Sequence, residues 1–159
     1  MDLDILYEKA IYRLVRLNKK YGKLGVYLSL IFNAIIRLFV SCDISVFCKL
    51  GKVKIPHAIG IVIGSTAVVE DGTVIMANVC IGSAFGDRRE NNHKYAKIGK
   101  NCVLGANACI IGGVTVGDNC IIGAGAVITK DIPENSVVVG NNRILRQVEQ
   151  REGKTGFNY

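Results

Sequence analysis

From Ile63 to Ile132 the branched apolar residues of this chain return at every sixth position. In register they are Ile63, Val69, Ile75 and Ile81, then, past an interruption, Ile98, Leu104, Ile110, Val116, Ile122 and Ile128. The residue after the anchor is Gly at Gly64, Gly82, Gly99, Gly105, Gly117 and Gly123, and the fourth after it is small at Ala67, Thr73, Cys102, Ala108, Cys120 and Ala126. A period of six fits neither a helix, whose apolar face repeats near 3.6, nor a flat strand, whose face repeats at 2. It predicts a solenoid in which each unit supplies a short strand and a corner, with three units closing a triangular coil of eighteen residues. Stacked coils would pair their backbones at the usual strand spacing of about 4.8 Å and pile the anchors into an internal column. The Gly after each anchor is expected to supply a positive φ at the corner, and the small fourth residue to fit the narrow interior. Hexapeptide periods of this kind are a β-helix signature.

Outside the repeat the pattern changes. Leu3, Leu6, Tyr7, Ala10, Ile11, Leu14, Val15 and Leu17 make a helical stripe, broken at Lys19 and Lys20. A second helix is predicted over Leu24 to Val40. It is seventeen residues long and contains Asn33 and Arg37, short of the roughly twenty apolar residues a membrane span needs. Packing against the solenoid end or a neighbouring subunit is favoured for it over lying in a membrane interface. Less regular coils are expected from Asp43 to Ile61. From Ser83 to Lys97 polar and charged residues replace the anchors, and such an insertion is ejected as a loop, often on a binding face. Val137 to Gly140 reads as a final strand, Ile144 to Glu152 as a short charged helix, and Gly153 to Tyr159 as loose. The expected organisation is therefore mainly β: a helical segment over 1–42, the solenoid over 43–140 with its loop at 83–97, and a helix and tail over 141–159.

Charge and cysteine usage narrow the setting. The net charge of +7 is uneven, with ten Lys/Arg against four Asp/Glu in residues 1–60, which suits a phosphate-bearing cofactor, an acidic acceptor or a membrane surface. Nucleic acid is disfavoured, because neither a binding motif nor an aromatic stacking platform accompanies the charge. The six cysteines form no CxxC pair. They read as reduced fillers of a cytoplasmic protein, with no metal site expected. No secretory or organellar leader pattern is visible at the start. The expected location is cytoplasmic, with the inner face of the membrane as the alternative. The chain's two histidines, His57 and His93, both fall beside irregularities of the repeat.

The segments Pro56 to Gly64, Gly86 to His93 and Ile122 to Pro133 resemble the hexapeptide acyltransferases with a left-handed parallel β-helix. Within that group the stretch from about Asp43 to Leu145 is most similar to the serine O-acetyltransferases and to the O-acetyltransferases of polysaccharide gene clusters. The handedness comes from this resemblance, and so do the following roles. Acyl transfer from a thioester to an alcohol needs a base with a pKa near the operating pH, which imidazole supplies. His57 matches the catalytic histidine, Asp43 the carboxylate that orients it, and His93 a second active-site histidine that faces His57 across a subunit boundary. Spacing alone would not pair these residues. Acetyl-CoA is the implied donor, held at positions matching Gly105, Ala106, Ala124, Thr129, Lys130 and Arg143, and a homotrimer is the implied assembly. Two departures bear on the acceptor. Pro56 stands where the serine enzymes carry an Asp, and Asn92 where they carry an Arg, with Arg88 and Arg89 displaced upstream. Loss of both electrostatic handles for a zwitterion favours a sugar hydroxyl of a surface polysaccharide over L-serine.

Overall fold

A computed structural model of the chain describes residues 23–28, 30, 31, 34, 41–84 and 95–147. Fourteen strands follow in order: β1 (Asp43–Ile44), β2 (Lys49–Leu50), β3 (Val62–Ile63), β4 (Val68–Val69), β5 (Val74–Ile75), β6 (Cys80–Gly82), β7 (Lys97–Ile98), β8 (Val103–Leu104), β9 (Cys109–Ile111), β10 (Thr115–Val116), β11 (Ile121–Ile122), β12 (Val127–Ile128), β13 (Ser136–Val139) and β14 (Arg143–Gln147). They form three parallel-paired faces. Face 1 stacks β1-β3-β6-β9-β12, face 2 stacks β2-β4-β7-β10, and face 3 stacks β5-β8-β11-β13 with β14 on its outer edge. Successive coils pair in register, Ile63 over Ile81 over Ile110 over Ile128 on face 1, and the prism expected from the six-residue period is the fold.

The interior follows from that register. All ten anchors lie in the core, none more than 1% exposed. The small residues ahead of face 3 do more than fit. Thr73 Oγ1 donates to the Gly99 carbonyl at 2.9 Å and accepts from the Cys102 N–H at 3.2 Å, while Cys102 Sγ donates to the Gly117 carbonyl at 3.2 Å and Cys120 Sγ to that of Pro133 at 3.1 Å. A buried polar group costs little only when it is bonded in this way. All six thiols are free.

Two expectations fail. The glycines after the anchors do not carry the positive φ. That conformation falls two residues later, on Gly72, Asn78, Asn101, Asn107, Asn119 and Gly125, with φ from 54° to 78°, where Gly or Asn is the tolerated residue. Close stacking requires most of the post-anchor glycines instead: a Cβ on Gly105 would stand 2.5 Å from the Ala124 nitrogen, and one on Gly123 would stand 3.1 Å from the Val138 carbonyl oxygen, whereas at Gly82 it would meet only Cys80 Sγ, at 3.8 Å.

The second failure is the helix expected from Ile144. Residues 143–147 are β14, antiparallel to β13, with a register shift between Val137 and Val138. Gly140 and Asn142, both at positive φ, reverse the chain, and the returning strand covers an edge of the last coil that would otherwise stay unpaired. The remainder of that expected helix, and the first of the two N-terminal helices, lie outside the described residues. Of the second, residues 23–28, 30, 31 and 34 are helical.

Candidate active site

Where face 3 turns into face 1, each coil repeats the same corner, a residue at positive φ preceded by one that points outward. The pairs are Ile59-Gly60, Ala77-Asn78, Ala106-Asn107 and Ala124-Gly125. The backbone ties them into a ladder: Asn78 N–H donates to the Ile59 carbonyl at 2.8 Å, Asn107 N–H to that of Ala77 at 3.0 Å, and Gly125 N–H to that of Ala106 at 2.8 Å. At about 4.8 Å per coil the ladder rises some 14 Å from end to end.

His57 stands at the top of this ladder. Pro56 precedes it, its carbonyl accepts the Ile59 N–H at 2.9 Å, and Gly60 at φ 65° completes the turn. Ile55 and Ala58 on either side are buried in the core, so the backbone is anchored while the imidazole remains exposed. Asp43 lies in the coil above, on β1. Its N–H donates to the Ile61 carbonyl at 2.7 Å, and Ile61 N–H donates to Cys42 Sγ at 3.4 Å. The structure therefore brings Asp43 to the coil next to His57 at the same corner, a neighbourhood that fourteen residues of sequence do not reveal.

Three of the residues expected to meet the cofactor fall along the same column. Gly105 and Ala106 occupy the third rung, and Ala124 the fourth. Among the described residues the N–H groups of Ala77, Ala106 and Ala124 have no protein acceptor, and the side chains beside them are single methyl groups. Such a groove can take an extended chain that carries amide carbonyls. Past the end of β12, at the opposite edge of face 1, Thr129 N–H and Lys130 N–H both donate to Asn142 Oδ1, at 2.8 and 3.3 Å, and Asn142 Nδ2 donates to Thr129 Oγ1 at 2.8 Å. Asn142 thus ties Thr129 and Lys130 to the turn that presents Arg143. Sequence reasoning missed Asn142, although Gly140-Asn141-Asn142 is a reversal signal.

His93, Asn92, Arg88 and Arg89 lie outside the described residues. The insertion that carries them departs after β6 and rejoins at β7, at the opposite edge of face 1 from His57. Its return is fixed by Tyr95, whose ring lies over Gly64 where a Cβ would overlap it. Tyr95 was not singled out from the sequence. No group of three or more metal-ligating side chains occurs among the described residues.

Comparison with known proteins gives this geometry a context. Residues 95–130 match the hexapeptide repeat of succinyl-transferase. Chloroplastic serine acetyltransferase 1 of Arabidopsis thaliana is 46% identical over 100 residues, covering 62% of this chain and 31% of that protein. Serine acetyltransferase of Staphylococcus xylosus is 30% identical over 140 residues, covering 87% of this chain and 63% of the relative. The crystal structure of serine acetyltransferase from Brucella abortus in complex with coenzyme A superposes with a TM-score of 0.77 at 28% identity, over 87% of this chain and 55% of that one. The chain thus spans about a third of the plant relative it matches and just under two thirds of the bacterial one. The fold is the left-handed parallel β-helix expected from the resemblance.

Proposed function

We propose that this hexapeptide-repeat chain, which resembles the serine O-acetyltransferases, moves an acetyl group from acetyl-CoA to an acceptor hydroxyl. The observation that carries the reading is the single corner column, with an exposed imidazole on a rigid turn at one end and a run of unpartnered backbone donors below it. The likeness to a serine acetyltransferase solved with coenzyme A supports the choice of donor.

In this reading His57 accepts the proton of the acceptor hydroxyl as its oxygen attacks the thioester carbonyl. The carbon–sulfur bond then breaks and the imidazolium gives the proton to the departing thiolate. No acyl-enzyme forms, since both substrates share the groove. Asp43 holds the imidazole in orientation and steadies its charged form. The amide N–H groups of Ala106 and Ala124 bind the pantetheine arm, with Gly105 keeping the coils close enough to present them. Thr129, Lys130 and Arg143 meet the nucleotide end. His93, reaching from a neighbouring copy in a homotrimer, faces His57, with Asn92, Arg88 and Arg89 beside it. A cytoplasmic setting suits the six unpaired thiols.

The comparisons favour L-serine as acceptor over the sugar expected from the sequence, because the relatives are named for serine and a polysaccharide role finds no support among them. One observation keeps the sugar as a second reading: Pro56, half-buried beside His57, offers no carboxylate to an ammonium group. An acceptor screen decides. Purified protein is given acetyl-CoA with L-serine or with a panel of free and nucleotide-linked sugars, and thiol release is followed. Serine turnover above that of every sugar supports the first reading. Faster release with a sugar installs the second, and no acceptor-dependent release overturns acetyl transfer itself.

A further inference from the structure

The helical residues 23–28, 30, 31 and 34 present an unusual surface. Leu24, Tyr27, Leu28, Leu30 and Ile31 are between 47% and 68% exposed, whereas Gly25 is buried and Val26 half-buried. At 100° per residue Leu24, Tyr27, Leu28 and Ile31 form one stripe, flanked by Leu30. Among the described residues the helix therefore turns Gly25 inward and its large apolar side chains outward. An apolar patch of this kind marks an interaction surface.

Charge identifies what covers it. From Lys9 to Cys42 the chain carries seven Lys/Arg and no Asp/Glu, and Lys23, the first described residue of the helix, is exposed. A second copy docked on this stripe would bring two such basic stretches together with no acid in either to offset them. An anionic bilayer meets both demands, because its acyl boundary accepts the leucines and its headgroups the cations. A tyrosine such as Tyr27 is suited to the level between. The described helix is not long and apolar enough to cross a membrane.

We propose that the helical residues 23–28, 30, 31 and 34 form an interfacial docking surface by which this chain lies on an anionic lipid surface. The inference is independent of which hydroxyl is acetylated. A chain held there meets acceptors carried on lipid before those free in solution.

The test is co-sedimentation of the full chain with vesicles of phosphatidylcholine alone or with about one third phosphatidylglycerol. Binding is expected at least tenfold tighter on the anionic vesicles and weakened by raised salt. Leu24→Ser with Tyr27→Ser and Ile31→Ser should lower it at least tenfold, with the molar mass by light scattering and the rate of thiol release unchanged. Lys19→Glu with Lys20→Glu and Lys23→Glu tests the charge while the apolar stripe stays intact, and should also abolish the preference for anionic vesicles. Equal affinity for both vesicle types, or no binding to either, overturns the proposal. A fall in molar mass in the serine variant would also overturn it, by assigning the stripe to a second copy.

Discussion

The corner between faces 2 and 3 and the corner between faces 3 and 1 share one backbone turn, filled in opposite ways. At the first, the outward residues are Lys52, Asp71, Lys100, Asp118 and Glu134, and the positive-φ positions include Asn101, Asn119 and Asn135. The polar groups there bond to one another. Asp71 Oδ1 accepts the Lys52 N–H at 2.7 Å, Asp118 Oδ1 accepts the Lys100 N–H at 2.8 Å, and Asn119 Nδ2 donates to Asn135 Oδ1 at 3.2 Å. Inside it, Thr73, Cys102, Cys120 and Ser136 donate to carbonyls of the chain. At the second corner the outward residues are Ile59, Ala77, Ala106 and Ala124, and the interior positions Val79, Ala108 and Ala126 have no side-chain donor. At the first corner a carboxylate of the next coil accepts the N–H of two outward residues, Lys52 and Lys100, whereas at the second, among the described residues, no side chain accepts the N–H of Ala77, Ala106 or Ala124. Side chains at equivalent positions thus set the two corners apart with no change of backbone.

The largest effect is expected at the one side chain of the open corner given a proton to move. His57→Ala should lower kcat by about 10²- to 10⁴-fold, the usual loss of a general base, with KM for acetyl-CoA nearly unchanged and the unfolding midpoint preserved. Acetyl-CoA-dependent thiol release measures the rates. Full activity in this variant would leave the open corner without a catalytic function.

Next in size is a transplant between corners. Ala124→Asn gives the open corner the device of the closed one, since its side-chain oxygen can accept the Ala106 N–H as Asp118 accepts that of Lys100. Asn carries no charge, so repulsion of an anionic cofactor is not what is tested. We expect KM for acetyl-CoA to rise about tenfold, the effect of losing a hydrogen bond of ordinary strength to the bound chain, while stability holds or rises slightly. An unchanged KM would show that the Ala106 N–H is not a donor to the cofactor.

The converse change attacks the closed corner. Asn119→Ala places a Cβ-bearing residue without side-chain polarity at φ 57° and removes the Asn135 partner. The strain costs about 1 kcal/mol and the lost bond about as much again, so unfolding by denaturant should show a loss of about 2 kcal/mol with KM intact. Asn119→Gly, which relieves the strain alone, should recover about half.

How much of this was legible in the chain follows from what repeats. Ile63 to Ile128 recur because the interior is the same in each coil, so the six-residue period gave the prism and its core. The period says nothing about the outward positions. Ala106 and Ala124 entered only through a family resemblance, and the unbonded state of their N–H groups was invisible until the ladder was in place. The glycines misled for a related reason. Gly105 is conspicuous beside its anchor, but the need it meets is contact with Ala124 one coil away, which no local pattern displays. β14 was mistaken for a helix because its charges hide an edge-covering role that exists only once β13 is the last strand of face 3.

The smallest effect probes the third corner, between faces 1 and 2, where the interior should be as dry as at the other two. Burial pushes the Cys48 thiol up to about 12 from an ordinary value of 9.0. The folded chain therefore keeps this proton over a range in which the unfolded chain releases it. Below pH 9 the group leaves stability independent of pH. Between 9 and 12 the folded state binds more protons, so stability falls as pH rises, by at most about 1.4 kcal/mol per pH unit. Denaturant unfolding at pH 8 and pH 10 should show wild-type protein losing about 1 kcal/mol more than Cys48→Ala over that interval. The difference between the two slopes cancels the cavity that the alanine leaves. Equal losses would mean that water reaches Cys48, and that the corners differ inside the prism as well as outside it.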